Sequence, residues 1–95
     1  MSKPILRELI ESEDYLDQLE KLGAQETDER LRGIMWSLTL RAEEWPVVEG
    51  FKRLRLAKTD LVRSGGKVKP RLQVWFEIRD SHHVDLLYLD QDDED

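Results

Sequence analysis

Apolar residues first recur along this chain at helical spacing. Leu16, Leu19 and Leu22 follow Ser12, a residue suited to an N-cap, with Glu13 and Asp14 in the first turn and Gly23 as a stop. Thr27, Asp28 and Glu29 repeat the start signal. Leu31, Ile34, Met35 and Leu38 then fall at i, i+3, i+4 and i+7, which predicts a second helix ending before Pro46. Met35, Trp36 and Trp45 are read as core residues. After Gly50 the period changes to two. In the segment 51–56, Leu54 and Leu56 point one way and Arg53 and Arg55 the other, as in a strand with one wet face. Lys58 to Lys69, with Ser64-Gly65-Gly66 inside it, reads as a long basic loop. The segment 71–79 alternates throughout, with Leu72, Val74, Phe76 and Ile78 inward and Arg71, Gln73, Trp75, Glu77 and Arg79 outward. Asp80-Ser81-His82-His83 forms a hairpin connection, and residues 84–89 make the last strand. The opening is ambiguous: Ile5, Leu6, Leu9 and Ile10 suit a short strand, or a helical face with Pro4 at the first helical position. The pattern predicts an α+β domain in which two helices cover one face of a three-stranded antiparallel meander.

Ninety-five residues, 39% of them hydrophobic, supply one core and no material for a second. The single domain is expected over 1–89, leaving 90–95, all polar and mostly acidic, as a frayed tail. The absence of cysteine excludes disulfides and thiolate chemistry. The opening Met1-Ser2-Lys3-Pro4 leads into charged residues, so neither a secretory signal nor a membrane span is expected, and the chain is read as cytoplasmic. The net charge of −6 hides a sorted distribution: −6 over 1–50, +7 over 51–71 and −7 over 72–95. The middle segment therefore carries a basic patch that the average conceals.

No glycine-rich phosphate loop, Gly-x-Ser-x-Gly elbow, His-Glu-x-x-His or calcium-loop ladder occurs, and no cofactor or metal is implied. His82 and His83 are adjacent and read as turn residues. The candidate chemistry lies in the basic segment, with Lys52, Arg53, Arg55, Lys58, Arg63, Lys67, Lys69 and Arg71 around one stretch of sheet. The period places Arg53, Arg55, Arg71 and Trp75 together on the outward face. Cations beside an exposed aromatic suit a phosphate backbone and a stacked base. They equally suit an acidic partner chain, or a charge-laced surface paired with neighbouring acids.

Several strings in order resemble the RelE/ParE toxin superfamily of bacterial toxin–antitoxin systems. They are Val47-Val48-Glu49-Gly50-Phe51-Lys52-Arg53-Leu54-Arg55-Leu56, then Arg63-Ser64-Gly65-Gly66, then Arg71-Leu72-Gln73-Val74-Trp75-Phe76-Glu77-Ile78 and Val84-Asp85-Leu86-Leu87-Tyr88-Leu89. The resemblance spans nearly the whole chain. It implies a strand at Ile5–Ile10 and a sheet packed on two antiparallel helices. It also implies a toxin held by a cognate antitoxin and acting on the ribosome by cleaving messenger RNA. By position, Arg53, Arg55 and Arg71 match the places where such enzymes hold and polarise the scissile phosphate, with Lys52, Lys58, Arg63, Lys67, Lys69 and Trp75 available for binding. Relatives of the ParE type act on gyrase instead. Where many members end in a basic and tyrosine cluster, this chain ends Asp90-Gln91-Asp92-Asp93-Glu94-Asp95, whose carboxylates repel a phosphate. The alternative is a noncatalytic relative that binds a protein partner through its sheet.

Overall fold

The computed structural model describes residues 6–23, 29–59, 62–64 and 66–92. The elements are β1 (Glu8–Glu11), α1 (Glu13–Lys21), α2 (Glu29–Arg41) with a 3-10 turn at Ala42–Glu44, β2 (Leu54–Lys58), β3 (Val62–Ser64), β4 (Lys67–Lys69), β5 (Arg71–Ile78) and β6 (His83–Asp92).

Ser12 caps α1 as its residue type requires: its Oγ accepts from the Tyr15 amide at 3.1 Å, and the helix ends at Gly23, whose φ of 66° is open to glycine without strain. Thr27 lies outside the described residues. Leu31, Ile34 and Leu38 of α2 are buried as the spacing demands, and Met35 and Trp45 pack against them. Trp36 does not join them. It is 61% exposed, because its place beside Met35 turns it off the buried stripe. On α1 the deeply buried side chain is Tyr15, and Leu16 faces outward.

The sheet differs from a three-stranded antiparallel meander. Its order is β1-β6-β5-β2, with β1 parallel to β6 and the other pairs antiparallel, so it is four-stranded and mixed. The opening ambiguity resolves to a strand at Glu8–Glu11. Both parallel partners are thus drawn from opposite ends of the chain, with α1 and α2 in the long connection that a parallel pair needs. The basic stretch 58–69 is not a plain loop: β3 and β4 pair as a separate two-stranded ribbon, turned at Gly66 with φ 79°. Its root is fixed by Thr59, whose amide donates to the Leu72 carbonyl at 2.9 Å and whose Oγ1 accepts the Leu72 amide at 2.8 Å. The C-terminal residues Asp90–Asp92 are not frayed either. They continue β6 and pair with Gln73, Leu72 and Arg71 of β5, and only 93–95 lie outside the described residues.

Leu72, Val74 and Phe76 of β5, Val84, Leu86 and Leu89 of β6, and Ala57 of β2 meet Tyr15, Leu31, Ile34, Leu38 and Ala42 of the helical layer in one core. Val84 and Leu86 alternate correctly, yet Leu89 is also inward, three residues on. A bulge opposite Trp75/Phe76 supplies the extra residue and resets the parity of β6. α1 fixes it. The Ser12 amide and Oγ donate to the Leu86 and Leu87 carbonyls, each at 3.0 Å, and Gln18 Nε2 donates to the Leu89 carbonyl at 3.3 Å, where β1 no longer covers β6.

Candidate functional site

One face of the sheet is covered by helices and the other is open, so what the open face carries decides what it can bind. The pairing register gives its rows. Lys58, Gln73 and Asp90 share one row across β2, β5 and β6, and Leu56, Trp75 and Tyr88 share the next. Leu54, Glu77, Asp85 and Ile10 follow across β2, β5, β6 and β1. A shallow groove of about 400 Å³ lies here, lined by Leu54, Trp75, Leu87, Tyr88 and Asp90. Its middle is apolar, with Tyr88 40% exposed and Asp90 at the β6 side; Lys58 stands on β2 in the same row as Asp90 and lines a neighbouring groove with Leu56 and residues 45–48.

The three arginines expected together are not brought together. Arg55 pairs with Phe76 and so stands on the helix-covered side, and Leu54 and Leu56, expected inward, take the open face. The reason is local. Above Arg55 the 3-10 turn leaves carbonyls pointing outward from a helical C-terminus, and Arg55 Nη1 donates to the carbonyls of Trp45 and, at 3.2 Å, of Glu43. β2, whose outer side is bonded by the segment 46–48 through the Val47–Arg55 bridge, thus buries Ala57 and satisfies a helix end with its arginine. Arg53 precedes β2 and folds across the sheet's end, its Nη2 donating to the Ile78 carbonyl at 2.8 Å. Arg71 is exposed on the open face, in register with Asp92. Trp75 lies on the open face as expected, but half-buried rather than exposed. Lys52 and Lys58 are exposed; the side chains of Arg63, Lys67 and Lys69 lie outside the described residues.

Two carboxylates are perturbed, both away from the groove. Glu43 is held below the ordinary range by its own backbone amide and by Arg7, whose Nη1 lies 2.7 Å from Oε2. Asp80 is held low by the His82 amide, which donates to Oδ1 at 2.7 Å, and by the His83 ring, whose Nδ1 lies 2.9 Å from the same oxygen. His83 belongs to β6 rather than to the connection, and its Nε2 is 3.9 Å from Glu8. Among the described residues no group of three or more histidine, cysteine or carboxylate side chains could hold a metal ion. None of the described helices is long and apolar enough to cross a membrane.

No protein-family model and no curated protein matches the chain. The site therefore has to be read from its own chemistry. Leu54 and Leu56 were expected in the core, and neither Leu87 nor Tyr88 stood out among the candidate side chains. One signal for the last two was present: Leu86-Leu87 breaks the alternation of an otherwise amphipathic strand, which is how a bulge announces itself.

Proposed function

We propose that this chain is a noncatalytic relative of the RelE/ParE superfamily that binds a protein partner through the open face of its sheet. The observation that carries the proposal is the composition of that face. Leu54, Leu56, Trp75, Leu87 and Tyr88 form a continuous apolar centre, where a phosphate-cleaving surface needs converging cations. Arg55 and Arg53 are already engaged with backbone carbonyls, and Asp90 stands at the groove's border. Aromatic and aliphatic side chains ringed by charge are what protein interfaces place at their centres. The link to the superfamily is supported by the element order, a first strand, two helices and a sheet covered on one side, together with the motif strings.

The test is made in growing bacteria with a photoreactive phenylalanine analogue at position 75. Protein adducts with unimpaired growth are expected. Nuclease-sensitive RNA adducts, or a growth and translation arrest that Arg53→Ala, Arg55→Ala and Arg71→Ala relieve while the protein stays folded, would establish the toxin reading instead.

A further inference from the structure

We infer that the partner on the open face is a second copy of this chain, packed face to face about a two-fold axis that runs along β5 at Trp75. This inference rests on the reading of that face as a docking surface and adds the identity of the occupant.

The argument is one of charge complementarity. A face-to-face pair related by an axis parallel to the strands lays β2 of one copy over β6 of the other. Lys58 then lies over Asp90 of the partner subunit, Leu56 over the partner's Tyr88, and the two Trp75 rings meet near the axis, with Gln73 beside its own equivalent. The row Lys58-Gln73-Asp90 is thus its own complement, positive to negative at both ends and neutral at the centre. An axis across the strands would instead stack β6 on β6 and bring like carboxylates together. Lys58 and Asp90 are the charged groups placed to make the contact: both are exposed and neither has an ion pair among the described residues, although Asp90 Oδ1 already accepts the Gln91 amide at 2.8 Å. Asp85 is already paired with Arg79. Glu77 and Arg71 lie on the axis strand roughly 7 and 13 Å from Trp75, and a crossing of about 30° between packed sheets offsets them from their equivalents by only about 4 and 7 Å, so the Glu77 pair opposes the contact that the Lys58 and Asp90 pairs favour.

The area sets the expected strength. An axis along β5 superposes only β2, β5 and β6 of the two copies: three strands about 4.8 Å apart and five residues of about 3.3 Å give an overlap of roughly 14 by 17 Å, well below what a standard interface of ~800 Å² per partner needs. A weak, concentration-dependent dimer is the expectation.

Sedimentation velocity of the full chain over about 5–500 μM tests it. The wild type should shift from monomer toward dimer across this range, and Trp75→Arg should abolish the shift. Lys58→Glu and Asp90→Lys should each weaken association about tenfold or more, because each places like charges in both symmetry-related contacts. The double swap Lys58→Glu/Asp90→Lys should return the dissociation constant to near the wild-type value. Circular dichroism checks that all variants fold. A chain that stays monomeric throughout, or a double swap that fails to restore association, overturns the inference. If position 75 meanwhile cross-links to a different protein, the docking face stands and only the second copy falls.

Discussion

Arg55 and Arg71 look interchangeable along the chain, yet they occupy opposite faces of the sheet, and replacing each with methionine should separate them. Methionine keeps most of the arginine stem and its packing, so the change isolates the guanidinium. At position 55 this removes the donor to the Trp45 and Glu43 carbonyls, one bond part-buried and one exposed. A hydrogen bond from a charged group is worth about 1.5–3 kcal/mol when sheltered and much less when wet, so the expected cost is about 2 kcal/mol. With an unfolding entropy of ~0.2 kcal/mol/K for a domain of this size, the melting temperature should fall by about 10 °C. Arg71→Met, on an exposed residue, should stay within about 0.5 kcal/mol of wild type. Urea denaturation followed by circular dichroism measures both, with an unchanged slope showing that only stability has moved. An Arg55→Met variant as stable as Arg71→Met would refute the placement of Arg55 under the 3-10 turn.

Two further measurements probe the scaffold. Ser12→Ala removes both the cap of α1 and the hydroxyl donor to the bulged Leu87 carbonyl, so a loss of about 1–2 kcal/mol is expected, with faster amide exchange around residues 87–89 than elsewhere in β6. Glu43 and Asp80 are both depressed in the folded state, so their stabilisation is present at neutral pH and lost as pH falls through the ordinary carboxylate range, about pH 4, and below it. Melting temperatures should therefore fall on acidification, and Glu43→Gln combined with Asp80→Asn should flatten that fall; an unaltered acid profile would show that these contacts do not contribute.

The parts of the fold legible in the chain were those set by local chemistry. Ser12 with its acidic first turn started α1, and the stripe Leu31, Ile34, Leu38 defined the buried side of α2. The alternation Leu72, Val74, Phe76 marked the inner face of β5. Each of these depends on neighbours within a turn or two, so spacing alone carries it. The open face was not legible in the same way. A period of two states that a strand has two sides but not which side meets the core, and that choice is made by register with the neighbouring strand. On β2 it fell opposite to the hydrophobicity of its residues. Arg55 found carbonyls to satisfy at the end of the helical layer, while Leu54 and Leu56 were left beside Trp75. On β6 the bulge held by Ser12 put Tyr88 on the open face and Leu89 in the core. The pairing of β1 with β6 joins segments more than seventy residues apart, beyond the reach of any local pattern. Sequence thus determined α1, α2, the strands β2, β5 and β6 and most of the core, but not β1 or the β3–β4 ribbon. Tertiary pairing decided the open surface, because only the assembled sheet sets which side chains stand next to one another.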